Sequence, residues 1–125
     1  MAMTEFPGFD AWLAELKASA SSKDVGMYLA HNGVVRSYSR DGRPVTGMDL
    51  TYDEAGFNEA VAAAGKMKGI TQVKAWLNSG HLEVGDDIMY VMVAGDIRPN
   101  VLEALTTLVA NIKTHVVKED ELRPE

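Results

Sequence analysis

Basic residues stand at three places in this chain where they could gather around an anion. The first is Arg98, in the run Gly95-Asp96-Ile97-Arg98-Pro99. An apolar stretch, 88–94, ends there and a helical repeat begins, so the arginine stands at a helix start. Free backbone N–H groups and the positive end of the helix dipole favour an anion at such a place. The competing reading is a surface arginine that merely follows a strand, with Asp96 either its ion-pair partner or the N-cap. The second place is the turn flanked by Arg36, Arg40 and Arg43. Guanidinium groups there could clamp a phosphate or carboxylate bidentately. For Arg40 and Arg43 a solvated hairpin is the stronger reading, whereas Arg36 lies at a strand end, nearer to where a pocket could form. The third is the end of the last helix, bracketed by Lys113 and Lys118. Lys113 either complements the helix C-terminal dipole or offers an amine as acid, base or nucleophile.

The histidines add less. His31 falls on the apolar parity of its strand, where a hydrogen-bonded core role is commoner than catalysis. His81 and His115 sit near turns without a second ligand at metal spacing. No metal site and no cofactor is expected. Gly-rich phosphate loops, nucleophile elbows and HExxH patterns do not occur. Residue chemistry alone therefore gives an anion-binding domain and no reaction.

The elements that would position these residues fit one domain over 1–125. Hydrophobic content of 46% with 24% charged residues is typical of a folded globule. The net charge of −6 argues against nucleic acid or an anionic membrane as partner. No cysteine is present, so disulfides and thiolate chemistry are excluded. The N-terminal stretch has neither a basic n-region nor an apolar h-region, and no apolar run reaches bilayer length. A cytoplasmic protein is expected.

Asp10 can cap a first helix with Trp12, Leu13, Leu16 and Ala20 on one side. A strand over 25–36 puts Val25, Met27, Leu29, His31, Gly33 and Val35 on one face. Asp41-Gly42 signals a hairpin into a second strand carrying Met48, Leu50 and Tyr52. Asp53 suits the N-cap of a second helix, with Phe57, Val61, Ala64 and Met67 or Lys68 on its stripe and Gly69 at C′. Strands over 70–77 and 81–84 follow. The run 88–94 lacks alternation, as expected of a central strand covered on both faces. Pro99 opens a third helix reaching Lys113, with Val101, Leu102, Leu105, Leu108, Val109 and Ile112 buried. A short extended piece, 114–118, leads to an acidic tail. Residues 1–8 and 119–125 are expected to be flexible ends. The order α-β-β-α-β-β-β-α, with a possible last strand, indicates an α+β fold with helices on a mostly antiparallel sheet.

HNGVVR, ending at Arg36, and LEVGDDIMYVMVAGDIR followed by EAL and the IK of Lys113 resemble the molybdopterin synthase large (catalytic) subunit family, MoaE. The likeness runs from about residue 25 to 118, and the order and spacing of the motifs carry it. It implies that family's α/β-hammerhead type of fold, in a homodimer whose subunits each bind a small ubiquitin-like sulfur-carrier subunit. The carrier's C-terminal thiocarboxylate would deliver sulfur to cyclic pyranopterin monophosphate, making the dithiolene of molybdopterin. By the same resemblance Arg36 and Arg98 would bind the substrate's anionic groups; His31 and His115 are further substrate-binding candidates, His115 in place of the family's missing imidazole. Lys113 would be the catalytic amine and Lys118 a second basic residue near the carrier tail. Two departures stand out. Ile97 replaces the family's usual histidine, and the segment between Lys113 and Lys118 is two residues shorter and lacks aromatics. Either the chain is a divergent member with the same reaction, or a paralogue that binds a pterin, another small anion or a carrier without catalysis. A helix from Pro99 to Lys113 is roughly 20 Å long at ~1.5 Å per residue. Arg98 and Lys113 therefore cannot share a small ligand within one subunit. Arg98 must serve a partner protomer's pocket or be structural.

Overall fold

The computed structural model describes residues 5–125. Its elements are α1 (Phe9–Ala18), a 3-10 turn (Ala20–Asp24), β1 (Met27–Val34), β2 (Gly47–Tyr52), α2 (Glu54–Gly65), β3 (Ile70–Leu77), β4 (Gly80–Glu83), β5 (Asp87–Gly95), α3 (Arg98–Asn111), a π-helical turn (Ile112–Val116) and β6 (Val117–Leu122). The architecture is α+β, with the expected element order and the last strand present. The strands form two three-stranded antiparallel sheets, ordered β1-β5-β3 and β4-β2-β6.

The unalternating run becomes β5, the middle strand of the first sheet. Its side chains divide between two cores by strand parity. Met89, Val91 and Val93 enter the larger one, with Met48, Leu50 and Leu82 of the second sheet, Phe57, Ala60 and Ala64 of α2, and Val101, Ala104 and Leu108 of α3. Tyr90, Met92 and Ala94 face Trp12 and Leu16 of α1. A strand that must be apolar on both faces cannot alternate, which is why its sequence reads as a continuous run.

The helix starts follow capping chemistry. The Asp53 carboxylate accepts a hydrogen bond from Gly56 N at 3.1 Å, capping α2, and Pro99 occupies the first turn of α3. Asp10, expected as the cap of α1, lies inside its first turn, and Gly8 with φ +110° is the N-cap. α2 ends at Gly65, short of Met67, because a turn through 66–69 closes onto Gly69, whose φ is +76°.

Three further expectations change. The Asp41-Gly42 turn forms, with Gly42 N donating to Ser39 O, but β1 and β2 then enter different sheets and are linked there only by a Tyr38–Pro44 bridge. β1 is shorter than 25–36 at both ends. The acidic tail, expected to fray, is strand β6: Glu119 to Leu122 pair with Leu50 to Gly47 of β2, so backbone pairing outweighs side-chain repulsion. At the other end, residues 1–4 lie outside the described part, while Phe6 stacks on Tyr90 with ring centroids 3.7 Å apart.

Candidate functional site

α3 does not stop at Asn111 but loosens into the π-helical turn that feeds β6. This turn carries Lys113 out over the gap between the two sheets. There it meets the chain leaving β1, and the two enclose a hollow of about 760 Å³. That volume suits a small-molecule ligand. Arg36, Arg40, Lys113, Thr114, Glu119 and Glu121 supply its polar wall, with Val34, Val35, Met48, Ile88 and Ala110 as the apolar remainder.

Arg36 is held in place. Its Nε donates to Tyr38 O at 3.1 Å and its guanidinium lies over the Tyr38 ring, 4.9 Å from the centroid. A guanidinium fixed through one N–H and one face keeps its remaining donors for a ligand. Arg40 borders the hollow as well, while remaining exposed as the solvated reading expects. Arg43 does not. Its Nε donates to Asp41 Oδ2 at 2.7 Å, while Asp41 also accepts from the Ser39 hydroxyl and from Arg43 N. Those bonds, the Ser39 hydroxyl first, hold the Asp41 carboxyl well below the usual carboxylate range.

Lys113 is half exposed, with Nζ 3.7 Å from Glu119 Oε1. His31 is half-buried on β1, opposite Val91. Burial, and secondarily the positive charge of Lys113, lower its pKa, so the neutral imidazole is favoured. His31 therefore stands close enough to Lys113 to feel its charge without lining the hollow.

The other candidates lie elsewhere. Arg98 borders a separate shallow groove with Gly26, Met27, Tyr28, Asp96 and Ile97. A carboxylate of the protein itself stands beside that helix start. Asp96 Oδ1 accepts from Ile97 N at 2.7 Å and from Asn100 Nδ2 at 2.9 Å, and the Asn100 bond chiefly lowers the Asp96 pKa. Asp96 thus sets a negative charge next to the helix start, with Ile97 as the N-cap. Arg36 and Lys113 share one pocket within the subunit, and Arg98 does not. Lys118 projects from the opposite side of β6 to Glu119, with Asp120 Oδ2 at 3.8 Å. His115 is exposed on the π-helical turn and is not part of the wall. Among the described residues no group of three His, Cys, Asp or Glu side chains is placed to hold a metal, and no helix is long and apolar enough to cross a membrane.

Glu119 is the residue that sequence reasoning missed. Continuing the extended piece past Lys118 with period-two alternation would have set Val117 and Glu119 on one side, Lys118 and Asp120 on the other. A second hollow, between α1, α2 and β3, is lined by Trp12, Tyr52, Phe57 and Trp76. Its Lys74 is tied to Glu15 at 2.8 Å, so no comparable cationic wall forms there.

The MoaE protein family model matches residues 10–115. The chain belongs to the MoaE family. This family provides the catalytic subunit of molybdopterin synthase, so its role lies in molybdenum cofactor biosynthesis. Solved structures share the fold. The molybdopterin biosynthesis MoaE protein from Burkholderia ambifaria is 21% identical with a TM-score of 0.70, the match covering 99% of this chain and 92% of that one. Molybdopterin synthase from Staphylococcus aureus is 17% identical with a TM-score of 0.67, covering 82% and 78%. A complex of subunits 1 and 2 of molybdopterin-converting factor from Helicobacter pylori is 16% identical with a TM-score of 0.64, covering 93% and 83%. Among curated proteins no significant match is found.

Proposed function

We propose that this MoaE protein is the large subunit of molybdopterin synthase. It transfers sulfur from the thiocarboxylated C-terminus of a small ubiquitin-like carrier subunit to cyclic pyranopterin monophosphate, building the molybdopterin dithiolene. The observation that carries this reading is the meeting of Arg36 and Lys113 in one pocket, although 77 positions separate them in the sequence. Arg36, aided by Arg40, binds the substrate's phosphate through charge-assisted hydrogen bonds. Lys113 supplies the amine at the reacting end, and the apolar wall of Val34, Val35 and Ile88 strengthens the electrostatics by excluding water.

Arg98, on a different surface, serves the pocket of a partner protomer in a homodimer. Lys118, on the outer side of β6, meets the carrier rather than the pterin. The test incubates the protein with thiocarboxylated carrier and cyclic pyranopterin monophosphate and measures dithiolene product. Product that disappears with Lys113→Ala supports the enzyme. Binding of both partners without product, at saturating carrier, supports instead a non-catalytic paralogue. The outward position of Lys118 and the Ile97 side chain at the α3 start favour that second reading.

A further inference from the structure

The pocket contains one ion pair that competes with any acidic ligand. Glu119 is the more buried partner, its side chain 20% exposed against 50% for Lys113. Its Oε2 is buried and accepts no hydrogen bond. A carboxylate so placed is poorly compensated, and its cation at 3.7 Å is a long contact. Of the other charges around it, Arg40 also lines the hollow, while Glu121 and Arg36 have contacts of their own. Glu121 has Arg123 Nη2 at 3.4 Å, and Arg36 rests on Tyr38. Asp120 and Lys118 pair on the far side of the strand.

We infer that Glu119 is the internal counter-ion of Lys113 and thereby a specificity-determining residue of the pocket. This rests on the pocket being the anion site proposed above. An incoming phosphate oxygen must take Lys113 from Glu119 or share it, and it also meets Glu119's own negative charge. Both effects hold anion affinity down. Between turnovers the carboxylate keeps the Lys113 amine against the pocket wall. The residue that weakens binding is therefore also the one that positions the amine.

The test needs no turnover. Inorganic phosphate is titrated into the full-length chain and binding is followed by amide NMR shifts of 34–40 and 110–121. Glu119→Gln should tighten phosphate binding about two- to five-fold, the scale of a partly exposed ion pair. Glu119→Ala should act in the same direction, which guards against a peculiarity of the amide. Asp120→Asn makes the same change in net charge one residue away, on the outer side of β6, and should shift the Kd less than about 1.5-fold. Phosphate affinity that is unchanged or weaker in both Glu119 variants overturns the inference. So does an equal gain in Asp120→Asn, because bulk charge would then explain it. With carrier and pyranopterin, Glu119→Gln should lower KM and kcat together, with Glu119→Asp recovering part of kcat. A wild-type protein that makes no product, yet shows the phosphate response, sinks the sulfur-transfer reading and leaves the counter-ion role standing.

Discussion

Gly69 carries a quantitative test of the α3 start. Its φ of +76° is disfavoured for an L-residue, and a Cβ there would lie 2.5 Å from Asn100 Nδ2 and closer still to Asp96 Oδ1. Gly69→Ala therefore costs on two counts. The left-handed backbone contributes about 1–2 kcal/mol. The collision adds about 1–3 kcal/mol if the neighbours hold, or about 1 kcal/mol if Asp96 is pushed off its hydrogen bonds to Ile97 N and Asn100. The sum is roughly 2–5 kcal/mol, a Tm drop on the order of 10 °C for a domain of this size. Gly42→Ala is the control, since φ there is +87° and nothing lies within 4 Å of the added Cβ. It should cost only about 1–2 kcal/mol. Urea and thermal unfolding followed by circular dichroism measure both. A second arm uses Asp96→Ala. It should cost about 1 kcal/mol alone, from its lost hydrogen bonds, and clearly less in the Gly69→Ala background, because the two changes act on one contact. If Gly69→Ala proves no worse than Gly42→Ala, the packing of the 66–69 turn against Asp96 and Asn100 is wrong.

If Arg98 completes a partner's pocket, Lys113→Ala and Arg98→Ala proteins should each be inactive, yet mixed subunits should regain about a quarter of wild-type activity through heterodimers with one intact site. Recovery near zero after verified subunit exchange would leave Arg98 a structural residue. Lys118→Ala should weaken carrier binding in a salt-dependent way while leaving turnover at saturating carrier within about three-fold; a loss as deep as that of Lys113→Ala would put Lys118 in the pocket. The pH dependence of stability should carry two opposed terms. The His81 pKa is raised by hydrogen bonds to Asp49 and Glu83. Its contribution is thus complete below the unfolded value of about 6.5 and lost as pH rises through the folded value. For His31, with its lowered pKa, the unfolded chain takes up the proton first, so stability falls as pH drops from about 6.5 toward the folded value. Urea titrations from pH 5 to 8 should show the alkaline loss vanish in His81→Asn and the acid loss vanish in His31→Asn, and a reversed assignment would refute both environments.

Much of the fold was legible because its signals are local. Asp53 reads as a cap, Pro99 as a first turn and 88–94 as a doubly covered strand, each from neighbours within a few positions. The pairing partners were not. Asp41-Gly42 marks a turn, but nothing near it says that β1 and β2 part into separate sheets. The tail reads as solvated because three consecutive acids suggest solvent, whereas an open edge of β2 decides their state from afar. Site chemistry follows the same division. Arg36 and Lys113 stood out as basic residues at element ends, and they do meet. Glu119 looked like part of a charge run, and only the pairing with β2 turns it toward Lys113. Arg98 drew notice as a helix-start arginine, but Asp96, two positions earlier, already provides the negative charge that the dipole seeks.

The pairing of β5 with β1 also has a consequence in time. Met27 faces Gly95 and Val34 faces Asp87, whereas β3 reaches β5 across a much shorter stretch of chain. During synthesis β1 thus emerges long before β5, its partner strand in the first sheet, exists. Leu29 and His31 must wait in a chain that cannot yet bury them, while β3 and β5 can pair soon after they appear. β6, which follows all of these in the chain, then closes the second sheet and completes the wall of the pocket. A nascent chain stopped before Glu119 would hold most of the core and no finished pocket.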